Sequence, residues 1–328
     1  MELITEQHAF YGVPVFKLQD VDEFNPSIGD PARIYDLPIG KGMRLRALVD
    51  PRSATNMVVR VGFHGAVPAR VPTGDAFFEP GNIYKSREDP YILFADPTLS
   101  LNKELRLSWY LGAAWVDPDY FMEKMTRKLM AVTDACYMLA GGGSGGGFTA
   151  ARFATRFKNG VASAKIPQTD VFRWPSGPLG RSLSYEWNWD RERILRTSPT
   201  RFRLADIYGD SRWNRGNLLH IVQNVGDTEH VDDHLNPFLR ELGETEEMDA
   251  ALDGQVTISR PYFGDGHAPV PPSLWQAEDD TALVRLKALH PLAPLEAPET
   301  MFEKPEGLQL SERQSRIREE HLASHNQL

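Results

Sequence analysis

A glycine-rich turn in the middle of the chain constrains the fold more than any other feature. Residues 136–140 are a short apolar run that predicts a buried strand, and residues 148–154 predict a helix. The turn between them contains the pattern G-x-S-x-G, formed by Gly142, Ser144 and Gly146. A serine at so sharp a turn is held in strained backbone geometry with its hydroxyl at the carboxyl edge of a sheet. The pattern therefore predicts a nucleophile elbow, with the backbone N–H of Gly145 facing the developing oxyanion.

Three other glycine-rich structures compete with this interpretation. A linker is disfavoured because an apolar strand enters the run and a helix leaves it. A phosphate-binding loop would end in Gly-Lys-Ser/Thr, whereas residues 147–149 read Gly-Phe-Thr. A dinucleotide-binding loop fits better, since Gly141, Gly143 and Gly146 satisfy G-x-G-x-x-G. That motif usually opens the first strand–helix unit of a domain, however, and this one lies mid-chain, so the elbow remains favoured.

The rest of the chain, 328 residues in all, predicts one large α/β domain. Apolar or alternating runs predict about eight strands, at 33–38, 43–49, 56–63, 91–97, 136–140, 160–166, 217–225 and 255–259. The first two flank a glycine turn and predict an antiparallel hairpin; the others predict a mostly parallel sheet flanked by helices. The predicted organisation is an N-terminal extension (1–30), the α/β domain (31–290) with a cap insertion (171–216), and a helical tail (291–328).

Polar residues follow several of these strands and could complete a serine mechanism. Asp227 follows the strand at 217–225, and His267 lies between the last strand and a helix that begins near Pro272. Parallel strands deliver their carboxyl ends to one edge, so Ser144, Asp227 and His267 are expected to converge there. Asp170, after the strand at 160–166, competes with Asp227 for the role of acid.

The segment that contains Asp227 also allows a metal-site interpretation. Asp227, His230 and His234 have the i, i+3, i+7 spacing of ligands on one helix face. The rest of the sequence supplies no obvious matching ligand cluster and no His-Glu-x-x-His motif. Metal is therefore the weaker interpretation, and no metal or cofactor is predicted.

Taken together, these motifs resemble those of the α/β-hydrolase superfamily over roughly residues 30–290. The residues that carry the resemblance are His64-Gly65, the turn 142–146, Asp227 and Gly266-His267. The resemblance implies the α/β-hydrolase fold and a serine acyl-transfer mechanism. One departure is that the seven residues centred on Ser144 include six glycines, which indicates a loose loop.

The resemblance also implies a role for each residue. Ser144 would attack an ester carbonyl, His267 would accept its proton, and Asp227 would orient the imidazole. The second oxyanion donor would be the backbone N–H of Gly65 or Ala66, after the strand at 56–63. His64 is expected to be a wall residue of the site, because an isolated histidine is more often structural than catalytic.

A weaker resemblance concerns the substrate. Residues 94–98, 167–170 and 223–234 are similar to hydrolase-like proteins that accompany bacterial surface-polysaccharide biosynthesis. This implies a serine esterase or acyltransferase acting on a small or carbohydrate-linked ester. The tryptophans of the cap insertion, Trp174 among them, could stack on sugar rings or line an acyl pocket, or simply pack the cap onto the domain. The alternative is a catalytically inactive binding or assembly protein that reuses the fold.

The net charge and the hydropathy of the chain limit which partners it is expected to bind and where in the cell it is expected to be. The formal net charge of −9 argues against a general nucleic-acid or anionic-membrane binder. The N-terminal stretch lacks the basic start and apolar core of a signal peptide, and no apolar run is long enough to span a bilayer. A cytoplasmic location is predicted, with the tail 291–328 as a possible homodimer contact.

Overall fold

Predominantly apolar segments form the centre of one large mixed sheet. The computed structural model describes residues 6–68, 76–102, 104–174, 187, 191–210 and 217–291. In this part of the chain the strands are β1 (Glu6–Gln7), β2 (Pro14–Lys17), β3 (Arg33–Gly40), β4 (Met43–Asp50), β5 (Val58–Phe63), β6 (Tyr91–Ala95), β7 (Tyr137–Gly143), β8 (Gly160–Lys165), β9 (Leu218–Val222), β10 (Ala250–Ala251) and β11 (Val256–Ser259). The strands β5 and β8 are buried at every position, as expected for parallel strands covered on both faces.

Helices cover both faces of this sheet. They are α1 (Gly81–Lys85), α2 (Pro118–Val132), α3 (Gly145–Ala154), α4 (Arg191–Thr197), α5 (Ala205–Tyr208), α6 (Thr228–His230), α7 (Asn236–Glu241) and α8 (Pro272–Leu289), with a π-helical turn at Val231–Leu235 between α6 and α7. Asp117 begins α2 by accepting a hydrogen bond from the N–H of Asp119, with Pro118 at the first helical position. None of the helices in the described ranges combines the length and apolar character that crossing a bilayer requires.

The strand order is β1-β2-β3-β4-β6-β5-β7-β8-β9-β11-β10. The predicted hairpin is confirmed, since β3 and β4 pair antiparallel. From β6 to β11 six neighbouring strands are parallel, so their carboxyl ends meet at one edge. The predicted mostly parallel sheet is therefore confirmed, with eleven described strands instead of about eight. The additional strands β1, β2 and β10 are only two to four residues long, and the first two fall in the predicted N-terminal extension.

Two apolar layers enclose the sheet. On one face α2 and α3 pack against alternate side chains of the strands, and Met125, Leu129 and Phe148 belong to this core. On the other face α8 contributes Leu283 and Leu286 to a second core. Burial on both faces fixes the positions of the strands, and with them the edge at which the polar residues lie.

The described parts of the predicted cap pack onto the same core as α2 and α3. Trp187 is buried and lies edge-on to Phe202, with ring centroids 5.0 Å apart, and Ile194 and Leu204 are buried in the same cluster. Trp187 therefore packs the cap onto the domain. Trp189 and Trp213 lie outside the described residues, as does the predicted tail beyond residue 291 with its suggested dimer contact.

Candidate active site

Ser144 occupies the sharp turn that joins β7 to α3. Its φ of 53° and ψ of −121° place it in a backbone region rarely adopted by residues with a side chain, at a cost of about 1–3 kcal/mol. A Cβ on Gly142 would collide with the backbone of Gly146, and one on Gly146 with the backbone of Phe63 and His64. The strand and the helix therefore approach each other at backbone distance, and the serine is held at the strand end.

Each of the six neighbouring parallel strands is followed by a polar residue at this edge. In spatial order these residues are Asp96 after β6, His64 after β5, Ser144 after β7, Gln168 after β8, Asp227 after β9 and His267 after β11. Ligands of open α/β sheets bind outside the carboxyl ends of the strands. This edge is therefore the candidate active site.

Asp227 and His267 are in direct contact. The Nδ1 of His267 lies 2.8 Å from the Oδ2 of Asp227, whose side chain is 2% exposed, while that of His267 is 40% exposed. An ionised carboxylate can only accept, so Nδ1 carries the proton and Nε2 is the basic nitrogen. Burial alone would raise the pKa of Asp227, but the hydrogen bond from His267 and the nearby His230 lower it below its ordinary value.

Asp170, the alternative acid, lies in a different environment. Its carboxylate accepts a hydrogen bond from the N–H of Phe172 over 2.9 Å and pairs with Arg203 at 3.3 Å and Arg173 at 3.7 Å. The structure thus brings Asp227, and not Asp170, to His267.

Gln168 is a partner of Ser144 that the sequence did not predict. Its Nε2 donates to the Oγ of Ser144 over 3.0 Å, and its Oε1 accepts from the indole Nε1 of Trp109 over 2.7 Å. Among the described residues no hydrogen bond joins Ser144 directly to His267. The edge therefore holds two hydrogen-bonded pairs, Ser144 with Gln168 and Asp227 with His267. The sequence signals for Gln168 are its position as a polar residue just after a buried strand and its place in the segment 167–170.

Backbone N–H groups lie beside the serine. A Cβ on Gly65 would lie 3.5 Å from the Cβ of Ser144, so these two segments are in contact. Gly145 is the first residue of α3, where backbone N–H groups lack carbonyl partners within the helix. These are the two segments in which the sequence predicts the oxyanion donors.

His64, predicted as a wall residue, fixes the backbone after β5. Its Nδ1 lies 2.7 Å from the carbonyl oxygen of Gly65, and its Nε2 accepts the N–H of Asp96 over 2.9 Å. The ring is therefore neutral with its proton on Nδ1, and burial lowers its pKa. Because C=O and N–H point in opposite directions across a trans peptide, holding the carbonyl of Gly65 also sets the direction of the Ala66 N–H.

The structure contains a cluster of potential metal ligands, but the cluster includes His267 in place of the predicted His234. The donor atoms of Asp227, His230 and His267 all lie within 4.8 Å of one another. The His230 and His267 rings, however, stack with centroids 4.2 Å apart and only 20° between their planes. An imidazole binds a metal in its ring plane at about 2.0–2.1 Å, so two stacked rings cannot both direct a lone pair at one ion. This donor set therefore does not fit a metal as arranged.

The predicted cap residue Trp174 lies on the same side of the edge. Its ring centroid is 5.9 Å from that of His230, which in turn stacks on His267. Trp174 is half-buried and packs against the core.

His234, the third predicted ligand, is instead a buried neutral histidine. Its Nδ1 accepts the backbone N–H of Thr169 over 3.4 Å, and its own carbonyl accepts the Thr169 hydroxyl over 2.8 Å. Burial, together with the neighbouring His230, lowers the pKa of His234 to about 3. The residue thus joins the segment after β8 to the helix after β9.

Acid is expected to destabilise the protein through His234. The unfolded histidine binds a proton near pH 6.5, whereas the folded one stays neutral to about pH 3, so stability falls as the pH drops through this window, by about 2 kcal/mol between pH 7.5 and 5. The variant His234→Asn keeps an acceptor near the Nδ1 position but does not titrate. Urea unfolding at pH 7.5 and at pH 5 measures this effect. Between these pH values the free energy of unfolding of the variant should fall by about 2 kcal/mol less than that of the wild type. Equal losses would show that His234 is not the titrating group.

Comparison with known proteins gives matches at the level of structure alone. No protein-family model matches the chain, and no curated protein matches its sequence. The capsule O-acetyltransferase of Neisseria meningitidis serogroup A superposes with a TM-score of 0.51 at 15% identity, over 77% of this chain and 94% of that one. This chain has the α/β-hydrolase fold.

Two further solved structures with this fold match less well. Carboxyl esterase 2 from Tuber melanosporum has a TM-score of 0.45 at 16% identity, over 86% of this chain and 93% of that one. An S-formylglutathione hydrolase from Agrobacterium tumefaciens has a TM-score of 0.47 at 13% identity, over 81% and 98% of the two chains. The α/β-hydrolase resemblance expected from the sequence is confirmed. At such low identities only the fold is shared, so the chemistry is argued from the site.

Proposed function

We propose that this α/β-hydrolase-fold protein is a serine esterase or acyltransferase that uses Ser144, His267 and Asp227. The observation that carries the proposal is the 2.8 Å hydrogen bond between the buried Asp227 and His267, at the same sheet edge as Ser144. A buried carboxylate that fixes the tautomer of a partly exposed imidazole is the arrangement a general base requires. The strained backbone of Ser144 supports its role as the nucleophile.

In the proposed mechanism Ser144 Oγ attacks the ester carbonyl carbon while its proton moves to His267 Nε2. The transfer requires these two atoms to come within hydrogen-bond distance, which in many enzymes happens only when the substrate is bound. The oxyanion accepts hydrogen bonds from the N–H groups of Gly145 and of Gly65 or Ala66, each worth about 3 kcal/mol. The protonated histidine then gives its proton to the departing alkoxide. Water or a sugar hydroxyl, activated by the same nitrogen, releases the acyl group.

The substrate class proposed is a small or carbohydrate-linked ester. The likeness of the fold to a capsule O-acetyltransferase agrees with the resemblance of residues 94–98, 167–170 and 223–234 to proteins of surface-polysaccharide biosynthesis. The half-buried ring of Trp174, beside the stacked histidines, supports a surface on which a sugar ring can stack. Water as acceptor gives an esterase, and a saccharide hydroxyl gives a transferase.

A fluorophosphonate probe tests the proposal directly. We expect intact-mass analysis to show one covalent adduct, and peptide mapping to place it on Ser144. The variant Ser144→Ala is the matched control and should stay unmodified. Incubation with 4-nitrophenyl acetate, with and without a mixture of saccharides, then separates hydrolysis from acetyl transfer. A folded wild-type protein that gains no adduct after prolonged exposure would refute the serine mechanism.

A second candidate is a catalytically inactive binding or assembly protein with this fold. The observation that favours it is that the Ser144 hydroxyl is hydrogen-bonded to Gln168, with no direct bond to His267 among the described residues. This candidate is tested with Ser144→Ala in a producing cell: full biological function without the hydroxyl would favour binding or assembly, and loss of function with normal protein levels would favour catalysis.

A further inference from the structure

The amide of Gln168 is oriented by Trp109. An amide offers an acceptor at Oε1 and donors at Nε2, whereas an indole N–H can only donate. Because Trp109 Nε1 lies 2.7 Å from Oε1, the opposite end of the amide, Nε2, must face the Oγ of Ser144, 3.0 Å away. On this side the serine oxygen can therefore only accept a hydrogen bond.

The orientation of Trp109 is itself fixed by the backbone around it. Trp109 has a positive φ of 51°. A single buried carboxylate, that of Asp96, accepts the N–H groups on either side of it, from Ser108 over 3.1 Å and from Tyr110 over 3.0 Å. Trp109 and Gln168 are both completely buried, so water does not replace the hydrogen bond between them. The donor that faces Ser144 is thus rigid before any substrate binds, which is the condition for electrostatic preorganisation.

We infer that Gln168 is a further catalytic residue of the proposed acyl transfer: its amide N–H donates to the reacting oxygen of Ser144. This inference rests on the proposed function. A hydroxyl has one proton, and a donor that occupies a lone pair of Oγ leaves that proton for His267. When the Oγ–C bond forms, the O–H bond breaks and the proton moves to Nε2 of His267. When the acyl-enzyme breaks down, the Oγ–C bond breaks and the same nitrogen returns a proton to Oγ.

The hydrogen bond from Gln168 acts in both steps. Negative charge develops on Oγ as the proton leaves and again as the oxygen departs from the acyl group. A neutral amide N–H stabilises this charge without becoming a base that competes with His267. A carboxylate at the same position would do the opposite, because it can only accept and would draw the serine proton toward itself.

Three variants test the inference through the rate of fluorophosphonate labelling. Gln168→Met removes the donor at similar volume, and we expect labelling to slow by about 100-fold, the usual effect of losing one such donor. Gln168→Glu is expected to be at least as slow near neutral pH, and to regain rate relative to Gln168→Met as falling pH protonates the introduced carboxyl group. Trp109→Phe keeps the glutamine but frees its amide, and we expect about a 10-fold loss.

The matched control is Gln255→Met, a half-buried glutamine just before β11, at the opposite edge of the sheet, whose Nε2 donates to the carbonyl of Asn217 over 2.9 Å. It should label at the wild-type rate. Thermal unfolding of every variant separates slow labelling from misfolding. Wild-type rates in folded Gln168→Met and Gln168→Glu, or identical pH profiles for these two variants, would overturn the inference. A wild-type protein that is not labelled at all would instead refute the proposed function.

Discussion

Replacing Asp227 with asparagine is expected to lower kcat/KM for ester turnover by about 10⁴-fold. The carboxylate is 2% exposed and holds Nδ1 of His267 at 2.8 Å, so water cannot take its place. An asparagine side chain can turn its NH₂ group toward Nδ1, which favours the tautomer whose proton is on Nε2. That nitrogen is then no longer a base, and the positive charge formed during the reaction loses its partner.

The control for this prediction is Asp170→Asn, at the other carboxylate that the sequence offered. Asp170 pairs with Arg203 and Arg173 and lies in no contact with His267 among the described residues. We expect kcat/KM of this variant to stay within a few-fold of wild type, even where its stability falls. Steady-state kinetics with 4-nitrophenyl acetate, together with urea unfolding of both variants, give the comparison. A large loss in Asp170→Asn with normal activity in Asp227→Asn would assign the acid to Asp170.

The central strands and the turn around Ser144 could be predicted because each depends on a local pattern. A buried parallel strand is rich in apolar residues, as in β5 and β6, and the turn needs residues without a Cβ at Gly142 and Gly146. The strands β1, β2 and β10 could not be predicted in this way, since two to four residues are too few to show a period.

The glycine run shows where composition misleads. Six glycines near Ser144 indicate a loose loop, but in the structure the first three belong to β7 and the last three to α3. They are buried or half-buried there, because the strand, the helix and the neighbouring segments pack at backbone distance. The glycines thus reflect close packing and not flexibility.

Side-chain contacts across the sheet edge were the least predictable feature. Gln168 meets Ser144 and Trp109, which are 24 and 59 positions away in the chain. No period or motif marks such a contact. His234 has the spacing of a metal ligand, yet its Nδ1 accepts the N–H of Thr169. Spacing identifies residues on one helix face, and only the fold determines what that face meets.

Replacing Lys165 with methionine is expected to lower the free energy of unfolding by about 3–5 kcal/mol. Lys165 is completely buried at the end of β8, where its Nζ donates to the carboxylate of Asp279 on α8 and to the hydroxyl of Ser163. Burial lowers the pKa of Lys165, although Asp279 opposes this shift. Without the ammonium group, Asp279 is left buried with Arg60 at 3.7 Å as its remaining ion-pair partner among the described residues.

Removing the charges of both Lys165 and Asp279 should lower the free energy of unfolding far less than removing the charge of Lys165 alone. A buried ion pair contributes little beyond its own desolvation, so Lys165→Met combined with Asp279→Leu is expected to regain most of the lost stability. Lys85→Met, at an exposed lysine of α1, is the surface control and should change stability by less than about 0.5 kcal/mol. Urea unfolding of the wild type, Lys165→Met, Asp279→Leu and the double variant gives the interaction energy of the pair. The backbone of Lys165 also accepts the N–H of Ser144 over 2.9 Å, and α8 follows the loop that carries His267. The ion pair therefore connects the segment beside the proposed nucleophile, Ser144, to the helix beside the proposed base, His267. A double variant that regains stability but reacts slowly with the fluorophosphonate probe would show that this connection positions the two residues.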